Sequence, residues 1–88
     1  MRKLARYFII TEGAYLLMAH NAFTSFSVID VLPPLRARFL QWEPLFAVTA
    51  SILRDPYTVD CTYESYRQQL LLYIEWSIGY LEKLEVNT

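Results

Sequence analysis

The helix-breaking residues divide this chain of 88 residues into four pieces. Proline lacks the backbone N–H that a helix interior needs, and its ring clashes with the preceding turn. Glycine occurs at only two positions, so the turns depend on Pro, Asp, Asn, Ser and Thr. The breaks fall, in chain order, at residues 21–27, at Pro33–Pro34, at Pro44 and at Asp55–Pro56.

The last piece gives the clearest helical pattern. No proline occurs between residues 62 and 85, and Asp60 or Thr62 would cap the start of a helix there. Spacings of four and three place one set of residues on a single helix face: Tyr66, Leu70, Tyr73, Ser77, Tyr80 and Leu84. A second row is expected to widen that face: Leu71, Ile74, Ile78 and Leu81.

The third piece, residues 35–54, is also predicted to be helical. The Pro33–Pro34 pair suits a first turn, where a missing N–H costs nothing. Pro44 lies inside the pattern, so it should kink the helix or restart it. The Asp55–Pro56 pair should end it.

The first piece fits two structures. As strands, residues 6–11 and 14–20 would flank a hairpin loop at Glu12–Gly13. Its Ala, Leu, Met and Glu favour a helix, whereas its Tyr, Phe and Ile favour strands; we expect the helix. Residues 23–32 would form a strand or a short helix that is capped by Thr24 or Ser25. The helix expected for the first piece would have an apolar stripe of Leu4, Phe8, Thr11, Tyr15, Met18 and Ala22.

These elements predict one small helical domain over residues 1–88. The fold class is all-α, a bundle of three to four helices whose middle helix is kinked or split by proline. The alternative is an α+β fold, in which a short N-terminal β-hairpin or meander precedes two helices.

Charge is distributed unevenly along the chain. Residues 1–38 carry five Lys or Arg and two acids, whereas residues 39–88 carry three bases and seven acids. The net charge of −1 gives no overall field that would steer the chain to nucleic acid. A candidate basic patch is nevertheless formed by Arg2, Lys3 and Arg6.

Cysteine content and hydropathy bear on location. Cys61 is the one cysteine, so no internal disulfide can form, and small secreted domains usually need one. We therefore expect a cytoplasmic protein. The Glu12–Gly13 pair interrupts a signal-like start, and no window has the roughly 20 apolar residues of a membrane span.

The sequence offers little for catalysis. His20 is the one histidine, and the charge of Asp60 would raise the pKa of the neighbouring Cys61 thiol. Zinc sites need clusters of Cys and His, calcium loops need dense carboxylates, and phosphate loops need several glycines. We predict a protein that is not an enzyme and that has no metal, cofactor or small-molecule substrate.

The outer side of the last helix is the predicted partner interface. Leu72, Trp76, Gly79 and Lys83 follow one another at spacings of four, three and four. Trp and Leu there would be exposed in a monomer, and Gly79 costs the helix up to about 1 kcal/mol relative to Ala. Tryptophan is enriched at interface hot spots, and Trp42 is a second candidate anchor. The alternative is a central helix that is buried on all sides.

The function that follows is a small non-catalytic protein-binding module. It would act by occlusion or bridging, as an inhibitor, immunity factor, adaptor or small subunit, and would form a homodimer or dock on a larger protein. The alternative is a nucleic-acid-associated regulator that uses the basic N-terminal third, with an affinity that falls steeply with salt.

Overall fold

The computed structural model describes residues 2–55 and 62–86, with side chains up to residue 84. All regular structure in these ranges is helical, so the all-α prediction is confirmed and the N-terminal hairpin is wrong. The elements in chain order are α1 (Arg2–Leu4), a π-helical segment (Ala5–Thr11), α2 (Glu12–Ala19), α3 (Val28–Arg38), a 3₁₀ turn (Leu40–Trp42), α4 (Glu43–Arg54) and α5 (Tyr63–Val86).

α1, the π segment and α2 form one uninterrupted rod, called here the N-terminal helix. Leu4, Thr11 and Glu12, where the segments meet, all keep right-handed helical dihedrals. The Thr11 hydroxyl donates to the carbonyl of Arg6 over 3.3 Å within the π segment. The helix formers of α2 therefore continue the helix through Glu12 and Gly13 instead of turning there.

The apolar stripe predicted for this helix was on the wrong side. Phe8, Tyr15 and Met18 are exposed. A π turn closes its hydrogen bonds over five residues rather than four, so it rotates the faces that follow. The buried face consists of Ala5, Ile9, Ile10, Gly13, Ala14, Leu16 and Leu17.

Gly13 sets how closely α2 approaches α3. A Cβ atom added at Gly13 would lie 2.6 Å from Cδ2 of Leu35 and 3.2 Å from Cγ1 of Val31. A Cβ atom there would force the buried side chain of Leu35 to shift. Glycine is therefore used here for close helix packing, not for a hairpin loop.

α2 ends in a Schellman motif. The N–H of Ala22 donates to the carbonyl of Leu17 over 2.8 Å, and the N–H of Asn21 donates to Met18 over 3.1 Å. Asn21 has a φ of 57°, the left-handed conformation that this motif requires after the C-cap residue, His20.

α3 begins at Val28, after the start that Thr24 or Ser25 would cap and before the Pro33–Pro34 pair. Its cap is Ser27, whose Oγ accepts from the N–H of Asp30 over 3.3 Å, rather than Thr24 or Ser25. Ser25 instead donates to Oδ2 of Asp30 over 2.6 Å. The predicted first-turn position of the Pro33–Pro34 pair was wrong, because Ser27 starts the helix first and both prolines lie inside α3.

A new helix begins next to Pro44. Of the two predicted outcomes, a kink and a restart, the structure has the restart. α4 begins at Glu43 with Pro44 in its first turn and ends at Arg54, before Asp55. Arg36 of α3 donates to both carboxylate oxygens of Glu43, with 3.1 and 3.0 Å from Nε. These hydrogen bonds lower the pKa of Glu43 and raise that of Arg36.

α5 is capped by Thr62, whose Oγ1 accepts from the N–H of Ser65 over 3.1 Å; Asp60, the other candidate, lies outside the described residues. Its predicted main face is confirmed, with Tyr66, Leu70, Tyr73 and Ser77 buried and Tyr80 and Leu84 half-buried. The second row is only partly correct, because Leu71 and Ile78 are exposed while Ile74 and Leu81 are half-buried.

The N-terminal helix lies at the centre of the fold and contacts α3, α4 and α5. α5 is also tied to α4 by a hydrogen bond of 2.8 Å between the Thr49 and Tyr66 hydroxyls. The described structure measures 43 × 24 × 20 Å. None of the helices in it is both long enough and apolar enough to cross a membrane.

Candidate binding groove and outer helix face

Three arginines surround an apolar groove at one end of the bundle, which we call the arginine groove. Its volume is about 490 Å³. The arginines come from the N-terminal helix and from the last residue of α4. The lining residues are Arg2, Arg6, Arg54, Val28, Leu32, Ala50 and Leu53.

A long, exposed hydrogen bond joins the two elements beside the groove. Nη2 of Arg2 donates to the carbonyl of Leu53 over 3.4 Å. The last four carbonyls of a helix have no partner within it, so Arg2 satisfies one of them at the end of α4. Arg54 in the last turn also suits the helix dipole.

The groove concentrates positive charge. Within the described ranges, no carboxylate lies within 4.0 Å of the Arg2, Arg6 or Arg54 guanidinium. The ion pair found there joins Arg36 and Glu43. Guanidinium groups pair with planar anions through two parallel hydrogen bonds. The arrangement is suited to an anionic group that also has an apolar side, which would pack on the groove floor formed by Val28 and Leu32.

Two smaller grooves extend this surface. One of about 460 Å³ shares Val28 and Leu32 with the arginine groove and adds Ile29, Pro33 and Arg36. The other, of about 350 Å³, shares Arg6 and is lined also by Lys3, Tyr7, Ile10, Thr11 and Phe26. Ile29 is 82% exposed and Tyr7 is 70% exposed.

The predicted basic patch is thus divided between two grooves. Arg2 and Arg6 line the arginine groove, and Lys3 lines the groove that contains Tyr7. Sequence reasoning missed Arg54. It is separated from Arg2 by most of the described chain, and no local pattern indicates that the end of α4 packs beside the start of the N-terminal helix.

The predicted interface row on α5 lies partly in solvent. Leu72 is 60% exposed, and Lys83 is also exposed. A Cβ atom added at Gly79 would meet no atom within 4 Å. No close packing among the described residues therefore accounts for glycine at this position, and its role at an interface stays a prediction.

Trp76 and Trp42 belong to an aromatic cluster within the chain. The Trp76 ring lies 5.2 Å from Phe39, 5.6 Å from Trp42 and 5.2 Å from Tyr80, measured between ring centroids. Both tryptophans are half-buried. The exposure expected for Trp76 is therefore wrong, because the turn between α3 and α4 packs against this side of α5. Participation of either tryptophan in an interface stays a prediction.

The outward side of α5 carries a second pattern, which we call the acidic stripe. Its members recur at spacings of seven, four, three and four, so they follow one side of the helix. All are exposed, and two of them are aliphatic. The stripe consists of Glu64, Leu71, Glu75, Ile78 and Glu82.

His20 has a structural environment. Its Nε2 shares a hydrogen bond of 2.5 Å with the Tyr80 hydroxyl, and its ring lies 6.0 Å from that of Phe39. Cys61 lies outside the described residues. Within those residues, no three His, Cys, Asp or Glu side chains are grouped as a metal site requires.

Comparison of the chain with protein-family models, with curated proteins and with solved structures gave no match.

Proposed function

We propose that this protein is a small non-catalytic binding module that holds an acidic amphipathic helix of a protein partner in the arginine groove. It would act by occlusion or bridging in the cytoplasm. The observation that carries the proposal is the set of three guanidinium groups around an aliphatic floor, with no carboxylate within 4.0 Å of them in the described part of the chain.

The groove matches both sides of such a helix. Carboxylates of the partner would pair with Arg6 and Arg54, which are exposed at the rim. Aliphatic side chains of the same helix would pack on Val28 and Leu32, in the mode by which amphipathic helices fill apolar grooves. Ile29, beside the floor, would lose its large exposed surface in the complex.

A defined helical peptide tests this function. The probe is a synthetic, fluorescein-labelled helix with Glu and Leu on one face, compared with the same helix carrying Lys in place of Glu. We expect Arg54→Gln to weaken binding of the Glu peptide by about tenfold, as loss of one charge-assisted pair predicts. Fluorescence anisotropy titrations give both affinities.

Arg38→Gln is the matched control. Arg38 ends α3 as Arg54 ends α4, both are exposed, and Arg38 lines none of the three grooves. Binding by this variant should equal that of the wild type. Equal affinity for the Lys peptide, or equal losses in the two variants, would contradict the proposal.

Nucleic-acid binding is the second candidate, and one observation favours it. Tyr7 is exposed in a groove that also contains Lys3 and Arg6, and single-strand binders place aromatic rings beside basic side chains. A labelled single-stranded oligonucleotide gives the decisive comparison. Tighter binding than to the Glu peptide, with a steep salt dependence and a loss in Tyr7→Ala, would replace the protein-binding proposal by this one.

A further inference from the structure

We propose that the occupant of the arginine groove is the acidic stripe of α5 from a second copy of this chain. The inference rests on the proposed function, since it names the acidic amphipathic helix that the groove takes. The contact would join the groove of one molecule to the outer side of α5 in the next.

The two surfaces are complementary in charge. The groove presents three arginines, and the stripe presents Glu64, Glu75 and Glu82. Each set lacks an ion-pair partner of its own among the described residues. Both would gain charge-assisted hydrogen bonds in the complex, and the opposite potentials would also speed association.

The two surfaces are also complementary in apolar character. Leu71 is 52% exposed and Ile78 is 51% exposed, and they lie between the acids of the stripe. The groove floor offers Val28 and Leu32. From residue 64 to residue 82 the stripe is about 27 Å long at roughly 1.5 Å per residue.

One chain cannot bring its own stripe to its own groove in this fold. The buried face of α5, with Tyr66, Tyr73 and Ser77, is the one that packs on the rest of the chain. The stripe lies on the opposite side of the same helix. The arginine groove is built from the N-terminal helix, α3 and α4. A contact between the two surfaces therefore requires another molecule.

The contact joins two different surfaces. In a two-fold dimer it would occur twice, once in each direction, whereas a head-to-tail arrangement would close a ring or continue as an open filament. Gly79, next to the stripe, has open space around its Cα and would allow the neighbour to approach closely. The predicted interface residue Leu72 would lie at the border of the contact.

Complementary charge reversal tests the inference on the full chain. The groove variant is Arg6→Glu with Arg54→Glu, and the stripe variant is Glu75→Arg with Glu82→Arg. All four positions are exposed, so each variant should keep the helical circular dichroism of the wild type. Reversal of Arg54 removes a charge that suits the dipole of α4, and reversal of Arg38 does the same at the end of α3. Arg38→Glu serves as the control for a charge reversal outside the grooves.

Light scattering over a range of concentrations gives the result. The wild type and the control should show a mass above the 10.4 kDa of one chain. Each double variant alone should associate at least about tenfold more weakly, and an equal mixture of the two should recover association because the reversed charges match again. A monomeric wild type, association that persists in either variant, or a mixture without recovery would overturn the inference.

The peptide titration separates this result from the proposed function. If the wild type is monomeric but still binds the Glu peptide through Arg54, the groove takes an acidic helix and the second copy is wrong. If copies associate without the groove variant having any effect, and the Glu peptide does not bind, both proposals are wrong.

Discussion

Ser77 and Glu12 join α5 to the N-terminal helix through a side-chain hydrogen bond. Oγ of Ser77 donates to Oε1 of Glu12 over 2.6 Å. Ser77 is buried and Glu12 is half-buried, so the carboxylate has lost part of its water and depends on this donor. The bond fixes the position of α5 along α2.

Replacement of Ser77 by alanine should lower the free energy of unfolding by about 1–3 kcal/mol, because Glu12 would lose the donor that replaces its water. Chemical denaturation measures the change. A double-mutant cycle with Glu12→Ala, which removes the acceptor, isolates the pair and should give a coupling free energy of at least about 0.5 kcal/mol. Strictly additive effects would show that the two side chains do not interact in solution.

Tyr73 carries a buried hydroxyl that has no hydrogen-bond partner in the described structure. An unsatisfied buried polar group costs about 1–3 kcal/mol. Tyr73→Phe removes the hydroxyl and keeps the ring against Phe46 and Trp42. We expect the variant to be more stable than the wild type by about 1 kcal/mol at neutral pH, measured by chemical denaturation.

The same residue predicts a loss of stability in alkali. Burial, and next the charge of Glu12, raise the pKa of Tyr73 above its usual value near 10. The folded state keeps the phenolic proton under conditions in which the unfolded chain releases it. The contribution of the Tyr73 proton to the free energy of unfolding is therefore fully present below about pH 10. It is lost as the pH rises further.

The free energy of unfolding, measured from about pH 8 upward, should fall less steeply with pH for Tyr73→Phe than for the wild type. Tyr7→Phe is the control, because it removes the hydroxyl of an exposed tyrosine instead of a buried one. The same slope for wild type and Tyr73→Phe would show that Tyr73 ionises as readily in the folded state.

The two glycines should respond oppositely to alanine. Gly13→Ala should lower the free energy of unfolding by roughly 1 kcal/mol, because the new methyl group meets the buried Leu35 side chain. Gly79→Ala should raise it by up to about 1 kcal/mol, since alanine favours the helix and nothing is close by. Thermal melts of both variants at low concentration compare the isolated fold. Stabilisation by Gly13→Ala would contradict the close packing of α2 on α3.

Regular periodicity explains how much of the fold the sequence predicts. α5 repeats the helical spacing over 24 residues without proline, so its buried Tyr66, Leu70 and Tyr73 were identified from the pattern. Pro44 was expected to kink the helix or to restart it, and the restart is the outcome that the structure has. The N-terminal helix departs from the normal period through its π segment, and its buried face was therefore misidentified.

Tertiary packing explains what the sequence does not reveal. The arginine groove depends on Arg2 and Arg54, which meet only because the end of α4 lies against the N-terminal helix. The packing of Trp76 likewise depends on Phe39 and Trp42, which the turn after α3 carries to α5. Spacing along one helix cannot distinguish a solvent-exposed face from one that a distant turn covers.

Trp76 and Leu72 separate the internal role of the aromatic cluster from an interface role of α5. Trp76→Ala should lower the free energy of unfolding by about 2–3 kcal/mol, somewhat less than for a fully buried tryptophan, because it leaves Phe39 and Tyr80 without their ring neighbour. Leu72→Glu should change stability by less than about 0.5 kcal/mol, since Leu72 is mostly exposed.

Light scattering on the same two variants tests the sequence-based interface. If α5 docks on a second copy near Leu72, the Leu72→Glu variant should lose mass at concentrations where the wild type associates, because burying the new carboxylate is unfavourable. Arg38→Gln, which lies outside the three grooves and outside the predicted interface row, is the control for a change in charge. An unchanged mass for Leu72→Glu, together with a destabilised Trp76→Ala, would restrict this side of the helix to a role inside the fold.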